Sequence, residues 1–261
     1  LSAEARSSGL LWPEVTRRTL LTLTASPLLR AADPFEDRWR AAADRVIEAS
    51  PAALPFAPPE GMLMLALMRL YQRTKYPLYT DFVETWAKHH LANAQTHDDT
   101  IALAVLLLQD ARPNPLFERY VTNAVDSAEG PESASFLARY GMTRRQPGLV
   151  LRAARSLPVR PPVPSDALLA IADVLEALEP MQPDYEPLSS CAQSVRPAAT
   201  DLLSLAAAWK LVRIQVVPAA RGADALAQWK LVHNQPTPDP IAPYDSIARY
   251  LLAAAEAAAT L

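Results

Sequence analysis

At 261 residues, half of them hydrophobic and a fifth charged, the chain can bury one large core or two small ones. A net charge of −3 and an isoelectric point near 5.9 exclude the basic footprint that nucleic-acid binding needs. A single cysteine, Cys191, cannot close an internal disulfide, four scattered histidines show no metal-ligand spacing, and no apolar run reaches membrane-spanning length.

Proline outnumbers glycine, 25 to 6, and β-branched alternation is nearly absent. Helices bounded by proline suit that balance better than hairpins turned on glycine, so the expected class is all-α. The first feature in chain order precedes the fold. Thr16-Arg-Arg-Thr-Leu-Leu21 opens a basic and then apolar stretch that closes on Leu29-Arg-Ala31. Basic, apolar and small-residue zones in that order make a secretory signal. The Arg17-Arg18 pair followed by Thr-Leu-Leu resembles a twin-arginine signal, which exports folded proteins and implies the periplasm. Residues 1–32 are expected to be an N-terminal extension, with Val15 in the place of an alternative start and cleavage near Ala31. The competing reading is an ordinary amphipathic helix or a disordered tail, which would leave the protein cytoplasmic.

From Asp33, which can cap a helix with Pro34 at its first position, residues 33–261 read as a procession of helices. Phe35, Trp39, Ala42, Ala43, Val46 and Ile47 form one apolar stripe on a charged helix. Met62–Leu70 is apolar nearly all round, and Tyr79, Phe82, Val83 and Trp86 return to a stripe. The alternation continues with Ile101–Leu108 (apolar), Leu116–Ala124 (stripe), Ser133–Tyr140 (apolar), Leu149–Leu157 (stripe) and Ala167–Leu178 (apolar). It ends with Tyr185–Val195 (weak stripe), Leu202–Val212 (apolar), Leu226–Val232 (stripe) and Ile247–Ala259 (rich in Ala and Leu). A helix apolar on every side must sit inside others, while a striped one faces water. About twelve helices, or six hairpins, therefore predict an (α/α)6 barrel with nested inner and outer rings, and an open α-solenoid would show the same pattern.

The stretch Glu60-Gly-Met-Leu-Met-Leu-Ala-Leu-Met-Arg-Leu-Tyr71, followed by Thr74, Tyr79, Phe82, Val83 and Trp86, resembles the first helix pair of glycoside hydrolase families 88 and 105. These are the unsaturated glucuronyl and rhamnogalacturonyl hydrolases. His97-Asp-Asp-Thr-Ile-Ala-Leu-Ala-Val-Leu-Leu107 looks like the second inner helix of that family, and Phe136-Leu-Ala-Arg-Tyr-Gly141 like the third. Ala167–Leu178, with its Asp-Val-Leu-Glu-Ala-Leu core, resembles the fourth, and Leu202–Val212 and Ser246–Glu256 resemble the fifth and sixth more weakly. The resemblance implies the (α/α)6 barrel and hydration of a C4=C5 unsaturated uronic sugar in pectin- or glycosaminoglycan-derived oligosaccharides. That chemistry uses a carboxylic acid of tuned pKa and aromatic or Arg groups that hold the sugar, with no metal or cofactor.

Carried onto this chain, the resemblance places Asp98 and Asp99 at the acidic pair of the second inner helix, where either could also serve as a cap or first-turn anion. The main acid falls on Ala128; Glu129 is adjacent and Glu132 stands where the family has Met, so Asp98, Asp99 and Glu129 are the candidate catalytic residues. The aromatic pair ahead of the first inner helix falls on Phe56 and Pro58, which makes Phe56 the candidate sugar contact. The family's Gly- and Trp-rich phrase before the fourth inner helix is here Arg160-Pro-Pro-Val-Pro-Ser-Asp166, and the segment preceding it is missing between Leu157 and Pro161. Two functions from different classes follow. One is a trimmed unsaturated-uronide hydrolase with little or no activity. The alternative is a non-catalytic helical barrel that binds a saccharide or a protein partner.

Overall fold

The structure, a computed structural model, describes residues 34–260 apart from 51–53, 93, 95–96, 161–162, 182–184 and 241–242. The expected export signal at 16–31, the expected cap at Asp33 and the side chain of Phe35 lie outside the described residues. Twelve helices follow one another among those that are described. They are α1 (Pro34–Ala49), α2 (Pro58–Thr74), α3 (Pro77–Leu91), α4 (Asp99–Ala111), α5 (Pro115–Ser127) and α6 (Ala134–Thr143), then α7 (Pro147–Ser156), α8 (Ser165–Leu178), α9 (Glu186–Gln193), α10 (Leu202–Arg213), α11 (Ala220–His233) and α12 (Asp245–Ala257). The described residues hold no strand, only an isolated bridge between Ala198 and Asp201.

The surplus of proline marks where helices start. Pro stands in the first two positions of α2, α3, α5, α7 and α9, where its missing N–H would have had no helical partner. Side chains cap α4, α5 and α10, where Asp98 accepts from the Ile101 amide, Asn114 from Leu116 and Asp201 from Ser204. α2 ends where Lys75 turns left-handed at φ 57° and returns its amide to the Tyr71 carbonyl.

Every all-apolar segment is an even-numbered helix, and every striped segment an odd-numbered one. In α2, Leu63, Met64, Leu67, Met68 and Leu70 are fully buried; α4 is buried from Ile101 to Leu108. The striped helices bury one face only: Trp39, Ala42, Ala43 and Val46 in α1, or Phe117, Tyr120, Val121 and Ala124 in α5. Each large aliphatic side chain taken out of water contributes about 1.5–3 kcal/mol, so the even helices carry most of the stabilising burial.

Packing follows from that division. α2 lies against α4, α4 against α6, α6 against α8, α8 against α10, α10 against α12, and α12 against α2. The six even helices are thus a closed cycle of neighbours. The odd helices lie on them: α1 on α12, α3 on α2 and α4, α5 on α4, α7 on α6 and α8, α9 on α8, and α11 on α10. Close approach within the cycle is set locally. At Gly61 of α2 a Cβ would stand 2.5 Å from Ile101 Cγ1 of α4, so only glycine lets the two helices meet at that depth.

Candidate functional site

The cycle of even helices encloses a cavity of about 360 Å³. Its rim is formed where α4, α6 and α8 begin, by Asp99, Thr100, Glu132 and Asp166. Its walls are apolar, with Leu65 from α2, Leu103 from α4, Phe136 from α6, Leu203 from α10 and Leu252 from α12. The floor is charged: Arg69, Asp173 and Glu256 line it and are all buried.

Helical register brings those three together. Arg69 and Glu256 each lie eleven residues past the first residue of their helix, α2 and α12, so neighbouring helices present them at one depth. Arg69 Nη2 donates to Asp173 Oδ1 at 2.9 Å, and its Nη1 stands 3.8 Å from Glu256 Oε1. Lys210 of α10, only 1% exposed, donates to Asp173 and lies 2.6 Å from Glu176 Oε2. Arg213 joins Glu176 at 3.3 Å and Glu256 at 2.8 Å, and Arg73 approaches Glu256 at 3.7 Å. Four cations and three carboxylates from α2, α8, α10 and α12 thus form one network beneath the cavity.

Burial and charge oppose one another in this network, and at Asp173, Arg69 and Glu176 charge prevails. Burial alone would raise the Asp173 pKa, but Arg69 and Lys210 hold the carboxyl well below the usual carboxylate range. Burial would likewise lower Arg69, yet Asp173 and Glu256 keep its pKa above the ordinary arginine value. Desolvation would raise Glu176, but Lys210 and Arg213 hold it low. Arg73 goes the other way, since burial lowers its pKa more than Glu256 raises it. Arg69 and Asp173 are therefore fixed charges. Asp173 has no proton to give near neutral pH.

The rim differs. Asp99 accepts a hydrogen bond from Ser133 Oγ at 2.7 Å, and burial pushes its pKa up, aided by the charges of Asp98 and Glu132 and opposed by the Ser133 bond. Ser133 has a single hydroxyl proton shared between Asp99 and the Glu129 carbonyl at 2.8 Å, so a protonated Asp99 could donate back and free it. Gly130, at φ +80°, turns the joint so that Glu132 folds beside it; a Cβ there would come within 2.7 Å of Glu132 Oε1.

The sequence candidates separate in space. Asp99 and Glu132 reach the cavity rim together. Asp98 is the N-cap of α4, with its carboxylate on the Ile101 amide at 2.9 Å. Glu129 is exposed and outside the cavity lining. Because α6 begins only at Ala134, Ala128 and Glu129 stand in the joint after α5 and not at an inner-helix start. Ala128 is buried at the end of α5, and its carbonyl accepts from Arg152 Nη2. Phe56 packs in an aromatic cluster away from the lining, with ring centroids 5.3 Å from Trp86, 5.4 Å from His90 and 6.2 Å from Tyr120.

The charged floor escaped sequence reasoning, although its signal was present. Arg69, Asp173, Lys210 and Glu256 are charges set inside the apolar phrases of even helices, where a solvated role is not available. Among the described residues no group of three or more His, Cys, Asp or Glu is placed to hold a metal ion, and no helix is long and apolar enough to cross a membrane. No protein-family model matches the sequence, and no curated protein matches it.

Proposed function

We propose that the closed cycle of even helices is the inner ring of an (α/α)6 barrel, and that the protein binds a saccharide end in its central cavity without hydrating it. The observation that supports this reading best is the cavity itself: sugar-sized, with apolar walls for C–H faces and hydrogen-bonding groups at both ends. In this reading the chain is a divergent relative of glycoside hydrolase families 88 and 105. Their acid falls here on Ala128, whose carbonyl is engaged by Arg152. Of the cavity carboxylates, Asp173 is held as an anion, and a general acid must keep its proton near the working pH.

The second reading is a weak hydratase, and one observation favours it: Asp99 stands at the rim with its pKa raised. The discriminating test is to add purified protein to an unsaturated uronyl disaccharide and follow the ultraviolet absorbance of the double bond. No loss above the no-enzyme control is expected. Robust loss that disappears in Asp99→Asn would replace the binding reading with the enzymatic one. Export is part of the same proposal, resting on Arg17-Arg18 and the apolar stretch after them. Periplasmic protein with its N-terminus just after Ala31 is the expected result, and periplasmic protein retaining Arg17 would refute it.

A further inference from the structure

The charge and hydrogen-bonding pattern of the cavity narrows what can enter it, given that the cavity binds a saccharide at all. Five carboxylates line it, Asp99, Glu132, Asp166, Asp173 and Glu256, against one cation, Arg69. The remaining cations of the network, Lys210, Arg73 and Arg213, lie behind those carboxylates and are not in the lining. Three of the five carboxylates stand at the rim, so any ligand passes them first.

The floor offers a donor and an acceptor side by side. Among the described residues Arg69 makes one hydrogen bond, through Nη2 to Asp173. Its Nη1 and the Glu256 Oε1 are 3.8 Å apart, beyond hydrogen-bond reach of each other, while the other Glu256 oxygen is taken by Arg213 at 2.8 Å. An adjacent donor and acceptor of this kind match a hydroxyl, which accepts from the guanidinium and donates to the carboxylate at once. A sugar carboxylate cannot do this. It would bring a third negative group to an arginine already flanked by Asp173 and Glu256, and it has no proton for Glu256.

We infer that the cavity selects a neutral sugar, docking hydroxyls between Arg69 and Glu256, and rejects the uronate of the same skeleton. Leu65, Leu103 and Phe136 cover the C–H face, and the rim carboxylates accept from outward hydroxyls. The selection is electrostatic at the rim and a matter of donor count at the floor.

The test is calorimetric titration of the full chain with two matched pairs, methyl glucoside against methyl glucuronide and methyl galactoside against methyl galacturonide, at low ionic strength. The neutral member of the pair that binds is expected to be at least tenfold tighter than its uronide. That ratio should shrink several-fold in Glu132→Gln/Asp166→Asn, and in 0.5 M salt, where exposed rim charges are screened. Leu103→Trp, which fills the cavity, should abolish binding while leaving the helical circular dichroism and melting intact. If Leu103→Trp does not keep the fold, Ala206→Leu on the opposite wall serves the same purpose. A uronide that binds as tightly as its neutral partner, or more tightly, overturns the selectivity and leaves the saccharide site standing. A folded protein that binds none of the four sugars overturns both.

Discussion

Asp173 and Lys210 are a buried ion pair, at 7% and 1% exposure. Removing either leaves its partner charged and buried, which costs about 3–5 kcal/mol. Lys210→Met or Asp173→Leu is therefore expected to lower the urea midpoint sharply. The double variant should cost less than the sum of the two, because neither member of the pair is left behind, although Arg69 and Glu176 each still lose one partner; additive losses would show that the pair is not coupled. The pH dependence follows from the sign of the shift. Asp173 is depressed in the native state, so its stabilisation is present above the unfolded pKa of about 3.9 and is lost as the pH falls below that value. Wild type should lose stability steeply from about pH 4 downward, and Asp173→Asn, although less stable at pH 7, should show a shallower acid limb.

Asp99 has the opposite sign. Its native pKa is raised, so the folded protein holds the proton more tightly and stability declines as the pH rises through the window above about 3.9. Asp99→Asn, which mimics the protonated form, is expected to be slightly more stable than wild type at pH 7, by less than about 1 kcal/mol, with the difference vanishing near pH 3. Thermal melts at the two pH values check this, and a variant equally destabilised at both would show that the carboxylate is a structural acceptor. The sequence did not distinguish Asp98 from Asp99. Both sit at one helix start, and which of them caps and which faces the cavity depends on the exact residue where α4 begins.

At the scale of elements, the fold was largely legible. Alternation of all-apolar and striped segments predicted the twelve helices, because a helix wetted on one side cannot carry apolar residues all round. Proline-bounded joints read correctly for the same local reason, since proline fits the first turn and nowhere else in a helix. Trp209, Trp229 and Cys191, all on helical segments of the alternation, are buried at 1%, 1% and 2% exposure. What local pattern could not give was the site. Arg69, Asp173, Lys210 and Glu256 each look like one exception in an apolar phrase; they become a network only when four helices far apart in sequence are brought side by side. The orientation of Phe56 was not legible for a related reason, as an aromatic before an inner helix can turn to the cavity or to the outer helix, and here it turns to Trp86.

Two substitutions test the elements directly. Gly61→Ala adds a methyl that would meet Ile101 Cγ1 at 2.5 Å, and overpacking of that kind costs about 1–3 kcal/mol, partly offset by the better helix propensity of alanine. A destabilised Gly61→Ala that Ile101→Ala partly rescues is expected; a stabilised one would mean that α2 and α4 are not in contact there. Asp98→Ala should cost about 1 kcal/mol through loss of the α4 cap, whereas Glu129→Gln, exposed and free of the cavity, should stay within about 0.5 kcal/mol. Denaturant midpoints of the pair separate a capping role from a shared site.

For the whole molecule the decisive contact is the one between its most distant ring members. An open solenoid and a closed ring have the same helices, the same stripes and the same neighbours except one: α12 against α2. Without that contact Glu256 would not meet Arg69, and no cavity would be enclosed. Neighbouring helices lie about 8–10 Å apart, so five successive steps from α2 to α12 would span roughly 40–50 Å if the row stayed open. Spin labels on Pro59→Cys of α2 and Ser246→Cys of α12, both exposed, in a Cys191→Ser background, report this distance by pulsed dipolar spectroscopy. A closed ring predicts a single narrow distribution below roughly 25 Å, allowing for the two label arms. A distribution centred beyond roughly 40 Å would contradict closure, and with it the cavity and the function built on it.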